Sequence, residues 1–197
     1  MGTRSPADRL PGDQRLEQAL GRCLGPFLGP EVRRIGVALS GGLDSTVMTH
    51  ALVNWLSVHY PSVALWAVHV NHNVRNPQEQ GIEEQVLLAN CLSWRVPLTA
   101  LTLGKDAIRQ LCRETGAGFE EGARILRYRF FDGEVRRLAL SLLCLAHQED
   151  DGLELQVMRI FQGQGSGVAM PEYRLPYLRP FLSIPRSCLL DHARRHG

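Results

Sequence analysis

Ile35-Gly36-Val37-Ala38-Leu39-Ser40-Gly41-Gly42-Leu43-Asp44-Ser45 joins an apolar run of strand length to a helical pattern through two glycines. Because Gly41 and Gly42 carry no Cβ, the backbone there can turn tightly and approach an anion. The following helix would point its unpaired N–H groups and positive dipole end at that anion. Ser40 and Ser45 add hydroxyl donors, and Asp44 adds a carboxylate that can hold a divalent cation against phosphates. The stretch predicts a phosphate-binding loop, with an ordinary strand-to-helix turn as the alternative.

Apolar periodicity on either side of this loop predicts strands that alternate with helices. The helical pattern covers residues 16–29, 44–58, 79–94, 106–115, 120–138 and 150–161, and the strand pattern covers 35–39, 63–70, 97–103 and 140–146. This alternation predicts an α/β fold, a three-layer, doubly wound sheet of mainly parallel strands with helices on both faces. Ligands of such sheets bind at the carboxyl ends of the strands.

The domain prediction follows these patterns. An N-terminal tail and helix are expected over 1–30, a catalytic domain over 31–185, and the start of a truncated C-terminal segment over 186–197. The Gly- and Pro-rich residues 162–180 are predicted to be irregular. His192, Arg194 and Arg195 are predicted to form a solvated charged face.

Composition narrows the class of protein. With 197 residues, 44% of them hydrophobic and 21% charged, the chain can bury one sizeable core. A net charge of +2 is too small to indicate nucleic-acid binding by itself. Five widely spaced cysteines without a Cys-x-x-Cys motif indicate reduced core thiols, not a disulfide framework or a zinc site. No apolar run reaches the length of a signal segment or a membrane span, which predicts a cytoplasmic enzyme without membrane contact.

Acidic residues follow the last predicted strand. Asp151 and Glu154 are three positions apart, so they would project from one side of the first turn of the next helix. Two carboxylates in this position could hold Mg2+ or bind a substrate ammonium group. The alternative is that Asp150, Asp151 and Glu154 complement the dipole of the helix start. That alternative does not explain His147 at the end of an apolar strand.

Two further groups have both a functional and a structural interpretation. His69 and His72 lie at the end of the second strand, where a satisfied loop histidine is favoured over nucleotide contact and zinc binding is not expected. Arg124 and Arg127 share a helical face. They could neutralise phosphate, or they could form a solvated face paired with the acidic residues that precede them.

Taken together, these segments resemble the N-terminal catalytic domains of the tRNA(Ile)-lysidine synthetases, which are N-type ATP pyrophosphatases. The resemblance covers residues 34–183, and it is specific because five motifs recur in order and spacing. These motifs are Val37-Ala38-Leu39-Ser40-Gly41-Gly42-Leu43-Asp44-Ser45 (the PP loop), His69-Val70-Asn71-His72-x-x-Arg75, Arg124-x-x-Arg127-Tyr128, Ala146-His147-x-x-Asp150-Asp151-x-x-Glu154 and Arg179-Pro180-Phe181-Leu182. The resemblance implies an adenine nucleotide alpha hydrolase-like, Rossmann-like fold.

The resemblance also implies an activity. Such a ligase joins free L-lysine to C2 of the wobble cytidine of a minor isoleucine tRNA with a CAU anticodon. ATP first adenylates the tRNA base, and lysine then displaces AMP, with pyrophosphate as the other product. ATP and Mg2+ are the implied cofactors, tRNA and lysine are the implied partners, and a homodimer is left open.

Roles for individual residues come from the same resemblance. The ATP phosphates would be bound by Ser40, Gly41, Gly42, Leu43, Asp44 and Ser45, with His69, Arg124 and His147 as further cofactor contacts. The metal would be held by Asp44 and Asp151. The catalytic residues would be Asp44, Asp151, Glu154 and Arg127, in which the two later carboxylates orient lysine or metal and the arginine neutralises phosphate or contacts RNA.

Some positions depart from the family pattern. Gln162 stands where the family has an arginine, Leu155 where it has a threonine, and Gly152 where a glutamine is common. The chain stops at Gly197, before the family's tRNA-binding domains, so a fragment or a short form is expected. One alternative is a tRNA 2-thiolation enzyme of the same fold, disfavoured because no Cys-x-x-Cys is present. The other is a degenerate, non-catalytic nucleotide-binding module.

Overall fold

The computed structural model describes residues 11–71, 77–151 and 170–196. The helices in these ranges are α1 (Pro11–Leu24), α2 (Leu43–His59), α3 (Pro77–Trp94), α4 (Lys105–Thr115), α5 (Phe119–Arg137) and α6 (Arg186–His196), with a short 3-10 helix at Gly25–Phe27. The strands are β1 (Arg34–Ala38), β2 (Ala64–Asn71), β3 (Leu98–Thr102), β4 (Leu142–Cys144), β5 (Tyr173–Arg174) and β6 (Tyr177–Leu178).

These strands form one sheet in the order β3-β2-β1-β4-β6-β5. The first five strands of that order run parallel, and β5 is an antiparallel edge strand. From β1 the chain builds outward to β2 and β3, and then crosses to β4 on the other side of β1. The carboxyl ends of β1 and β4 therefore flank the point where the strand order reverses, which is where open α/β sheets bind ligands.

Helices cover both faces of the sheet. On one face α1, α2, α3 and α6 pack on alternate strand side chains in a buried cluster that includes Val37, Leu52 and Leu189. On the opposite face α5 packs on β2 and β4, where Val68 and Leu143 are buried, and α4 packs against α5. Successive strand residues point to opposite faces, so strands with both faces covered read as continuous apolar runs.

The structure confirms the predicted fold class, a mainly parallel sheet between two layers of helices. The predicted irregularity of 162–180 is wrong for its last part, where β5 and β6 form a hairpin that joins the sheet. β6 pairs with β4 through Leu143 with Tyr177 and Cys144 with Leu178. Strands of two residues show no periodicity in a sequence, and this one forms because β4 offers unpaired N–H and C=O groups.

The solvated charged face predicted for the C-terminal segment is wrong for His192, which is 4% exposed. The α6 helix packs against α1 and α2, and this contact is not visible in local sequence. Of the predicted helix 150–161, only the start lies in the described part, where residues 149–151 are helical. Among the described helices, none combines the length and apolar character needed to cross a bilayer.

Candidate active site

The loop after β1 turns sharply into α2. Gly41 has a φ of 88°, a left-handed conformation that a residue with a Cβ adopts only with strain. Gly42 is the N-cap residue of α2. The first N–H groups of the helix consequently have no partner within the helix and are directed at the end of the loop. This is the backbone arrangement that binds anions at helix N-termini.

Two serine hydroxyls hold the loop in this shape. Ser45 Oγ donates to the carbonyl oxygen of Gly42 over 3.0 Å and accepts the N–H of Ser40 over 3.1 Å. Ser40 Oγ lies 3.0 Å from Ser45 Oγ and accepts the N–H of Gly42 over 3.4 Å. The Ser45 proton is thus used inside the loop, so Ser45 shapes the turn. Ser40 is exposed, and its hydroxyl is the more accessible of the two to a ligand.

Asp44 is the second residue of α2, and its Oδ1 is buried without a hydrogen-bond partner. Burial raises the pKa of this carboxyl, the charge of Arg186 opposes the rise, and the charges of Asp151 and Asp150 add to it. The fold therefore brings the carboxylates of the loop and of the β4 end into electrostatic contact. An unpartnered carboxylate oxygen among like charges suits a hard divalent cation, which takes oxygen ligands.

Asp151 is positioned by its own turn. Its Oδ2 accepts the N–H of Gln148 over 2.8 Å, and the side-chain Oε1 of Gln148 accepts the N–H of Asp150 over 3.1 Å. This reciprocal pairing is a capping box, in which Gln148 precedes the first helical residue. The structural interpretation of Asp151 as a helix-start residue is confirmed. The capping hydrogen bond engages Oδ2 of Asp151, so Asp151 would bind a ligand through Oδ1.

A basic group lies beside these carboxylates. His147 follows β4, and its Nδ1 is buried without a hydrogen-bond partner. Burial and the charges of Arg179 and Arg127 lower the pKa of His147, while Asp151 opposes them. Arg179 is 9% exposed; its Nη1 donates to the carbonyl oxygen of Pro171, and its Nε has no partner. Within residues 11–71, 77–151 and 170–196, Arg179 forms no ion pair with a carboxylate, so an anion bound here would supply the missing acceptor.

Two other predicted site residues have structural partners. His69 is buried, and its Nδ1 donates to the carbonyl oxygen of Leu39 over 2.7 Å, which is the satisfied histidine favoured above. Arg124 donates from Nε and Nη2 to the two carboxylate oxygens of Glu121 over 2.7 and 2.8 Å. Its side chain is 57% exposed, which confirms the solvated, paired interpretation of this arginine. Cofactor contact by either residue stays a prediction.

The sequence patterns assign no role to three residues that the structure brings to the site: Gln148, Arg179 and Arg186. Arg179 stands in a motif of the resemblance, but a lone arginine before a proline gives no signal of its burial. Arg186 begins α6 and reaches Asp44 only through tertiary packing. The sequence does carry a signal for Gln148, because it lies three positions before Asp151, which is the spacing of a capping box. Glu154, His72, Leu155 and Gln162 lie outside the described residues.

A glycine turn at a helix N-terminus, at the reversal point of a parallel sheet, defines an α/β phosphate-binding domain. The family model of the PP-loop domain matches residues 13–197, and the chain belongs to this family.

Two curated relatives that the chain matches are named tRNA(Ile)-lysidine synthase. The tRNA(Ile)-lysidine synthase of Photorhabdus laumondii is 33% identical over 190 residues, which are 93% of this chain and 39% of that protein. The tRNA(Ile)-lysidine synthase of Salmonella dublin is 35% identical over 171 residues, 84% of this chain and 37% of that protein. The chain thus spans about two fifths of the length of these relatives.

A solved structure with a similar fold is the U34-tRNA thiolase NcsA from Methanococcus maripaludis with its [4Fe-4S] cluster. The TM-score is 0.70 at 19% identity, and the match covers 93% of this chain and 63% of the thiolase. At this identity the similarity establishes the fold alone.

Proposed function

We propose that this chain is the catalytic part of a tRNA(Ile)-lysidine synthase. The activity is an ATP-dependent ligation of L-lysine to C2 of the wobble cytidine of a minor isoleucine tRNA with a CAU anticodon. It passes through an adenylated tRNA and releases AMP and pyrophosphate. The observation that carries the proposal is the PP loop facing the acidic and basic groups after β4. The names of the relatives support the same conclusion.

The loop is proposed to bind the phosphates of ATP. Its contacts would come from the backbone N–H groups at residues 41–45 and from the hydroxyl of Ser40, while Ser45 keeps the turn in shape. Arg179 and His147 would take up negative charge on the same side, since both have a buried nitrogen without a partner. Arg127, whose charge acts on His147, would neutralise phosphate or contact RNA.

Asp44 and Asp151 are proposed to hold Mg2+. The unpartnered Oδ1 of Asp44 and the influence of Asp151 on its pKa fit a cation at this point. When bound, Mg2+ would stabilise the charge that develops on the pyrophosphate leaving group. Arg186 partly offsets the mutual repulsion of the carboxylates when they carry no cation.

Asp151 and Glu154 are proposed to orient the side-chain amino group of the substrate lysine, which attacks the activated base as the neutral amine. Carboxylates that accept hydrogen bonds from an amine fix its direction of approach to the activated base. No protein nucleophile is needed, because the reaction is accelerated by positioning and by charge stabilisation. The wobble base must leave the anticodon stack to enter such a site, as is usual for single-stranded RNA recognition.

The burial of the cysteines disfavours the alternative of tRNA thiolation. Cys23, Cys91, Cys144 and Cys188 are buried, and Cys112 is half-buried. Burial raises the pKa of Cys91 and Cys144, and it raises the pKa of Cys23 to about 11. Sulfur delivery and cluster binding need thiolates, which these surroundings disfavour.

The test is AMP release from ATP by the 197-residue chain with Mg2+, L-lysine and a tRNA bearing a CAU anticodon, each omitted in turn. We expect AMP only when ATP, Mg2+, L-lysine and the tRNA are all present. A matched control tRNA with a different wobble base should give none. AMP formed without lysine would contradict the ligase. Bound ATP without AMP, both here and in a C-terminally extended chain, would favour the non-catalytic nucleotide-binding module.

Two further points belong to this proposal. A tRNA-modifying enzyme of this kind would act in the cytoplasm. A homodimer stays a prediction. Within the described residues, α3 carries exposed apolar side chains, among them Ile82 and Val86, on which this prediction can be tested. Sedimentation of the wild type and of Ile82→Asp at equal concentration would detect such a dimer.

A further inference from the structure

A second cluster of polar side chains lies where α1, α2 and α6 meet, and the active site described above does not use it. Its members are Asp13 of α1, His50 of α2, and His192 and His196 of α6. The two α6 histidines are four positions apart, so they lie on the same face of the helix. This is the spacing at which two histidines on one helix bind a zinc ion.

The distances within the cluster are short. His192 Nδ1 lies 2.7 Å from Asp13 Oδ1, and His196 Nε2 lies 3.4 Å from Asp13 Oδ2. One ligand atom from each of these three residues lies within 4.8 Å of the other two. In a tetrahedral site with bonds of about 2.0–2.1 Å, ligand atoms are separated by about 3.3 Å. The 2.7 and 3.4 Å separations from the Asp13 oxygens lie on either side of this value.

His50 completes the arrangement from behind. Its Nδ1 lies 2.8 Å from His192 Nε2, the ring nitrogen that points away from Asp13. Metal-binding histidines usually pair their second nitrogen in this way, which fixes the ring and its tautomer.

Arg195 also reaches the cluster, with Nη2 3.2 Å from Asp13 Oδ1. Its guanidinium lies beside Gly12, where an added Cβ would come within 2.6 Å of Nη2. The contact with Arg195 occupies Oδ1 of Asp13. It leaves Oδ2, the oxygen nearer to His196, for a ligand role.

We propose that Asp13, His192 and His196 form a binding site for a transition-metal ion of the Zn2+ type, with His50 holding the ring of His192. Two imidazoles and one carboxylate leave a fourth position for water, and imidazole ligands select zinc-like ions over Mg2+. Ligands from α1 and α6 would connect the first and last described helices. The proposal is independent of the proposed function.

The test is titration of the metal-free 197-residue chain with Co2+, followed by visible absorption, and then displacement by Zn2+. We expect one equivalent with the intense bands of a four- or five-coordinate site, replaced by Zn2+ and unaffected by excess Mg2+. His196→Ala and Asp13→Asn should lose these bands and weaken binding at least tenfold. His59→Ala, which removes an exposed histidine from α2, is the matched control, and Asp44→Asn excludes binding at the carboxylates of the active site.

Thermal unfolding gives a second readout that does not depend on colour. Zn2+ should raise the Tm of the wild type and of His59→Ala, because a ligand that binds only the folded state stabilises it. Zn2+ should not raise the Tm of His196→Ala. The side chain of His196 is partly exposed at the end of α6, so its removal should leave the core intact. Weak octahedral-type bands in the wild type, or equal Co2+ affinity in the wild type and His196→Ala, would overturn the proposal.

Discussion

The backbone N–H of Gln148 donates to Oδ2 of Asp151 over 2.8 Å, so an acid beside the PP loop also completes the capping box of the helix that carries it. The same residue acts on Asp44, whose carboxyl pKa it helps to raise. Helix capping and the electrostatics of the active site therefore converge on one side chain. Substitutions that separate charge from hydrogen bonding can tell the two roles apart.

Asp151→Asn keeps an acceptor for the N–H of Gln148 and removes the charge, whereas Asp151→Ala removes both. We expect Asp151→Asn to unfold near the wild-type temperature. For Asp151→Ala we expect the free energy of unfolding to fall by about 1 kcal/mol, the usual contribution of a helix cap. Both should lose AMP release, by about 100-fold or more if the carboxylate stabilises charge in the transition state. Denaturant unfolding and AMP assays on the two variants check this. Wild-type turnover in Asp151→Asn would reduce the residue to a cap.

Asp44→Asn should abolish AMP release without harming the fold. Burial, Asp151 and Asp150 raise the pKa of the Asp44 carboxyl above its ordinary value of 3.8, so its ionised form destabilises the folded state at neutral pH. We therefore expect Asp44→Asn to equal or exceed the wild type in stability at pH 7. The difference should disappear below pH 3.8, where the carboxyl is protonated in the folded and the unfolded chain.

The matched control for that substitution is Asp106→Asn. Asp106 is also the second residue of its helix, α4, but it is exposed. Its substitution should leave AMP release unchanged and should not raise stability. A loss of stability in Asp44→Asn, or equal activity of the two variants, would contradict the role assigned to Asp44.

Two glycines of α5 should respond in opposite directions to alanine. An added Cβ at Gly122 would lie 2.7 Å from Cys112 Sγ of α4, whereas nothing lies within 4 Å at Gly133. Gly133→Ala should stabilise the chain by about 0.5–1 kcal/mol through helix propensity. Gly122→Ala should destabilise it by about 1–3 kcal/mol through overpacking. Urea unfolding measures both, and adding Cys112→Ala to Gly122→Ala should restore most of the loss; without that rescue the α4–α5 contact is wrong.

Thiol labelling should single out one cysteine of the native chain. Cys112 is half-buried at the α4–α5 contact, while the other four cysteines are buried. Burial also raises the pKa of Cys23 to about 11, which keeps it protonated at pH 8. Maleimide at pH 8 should therefore modify Cys112 first, with the other four reacting only as the chain unfolds. Native Cys112→Ser should stay unlabelled, and rapid labelling of that variant would contradict the burial of the remaining thiols.

The sequence was sufficient wherever the signal is local. The apolar run before Ser40, the glycines at 41 and 42 and the helical pattern after them predict the strand, the turn and the helix that the structure has. Alternation of such units predicts the parallel sheet, because parallel strands need crossover helices. The electrostatic contact of Asp44 with Asp151 agrees with the rule that neighbouring parallel strands end at one edge.

Only the tertiary structure decided which polar groups are buried and what they contact. The β5–β6 hairpin exists because β4 offers an unpaired edge, and two-residue strands have no pattern of their own. The burial of Arg179, the approach of Arg186 to Asp44, and the meeting of Asp13 with His192 and His196 each join residues distant in sequence. Periodicity reports the face on which a residue lies but not the element that covers that face. The sequence by itself therefore determined the architecture and the phosphate-binding loop, and packing determined the charges around that loop and the histidine cluster behind it.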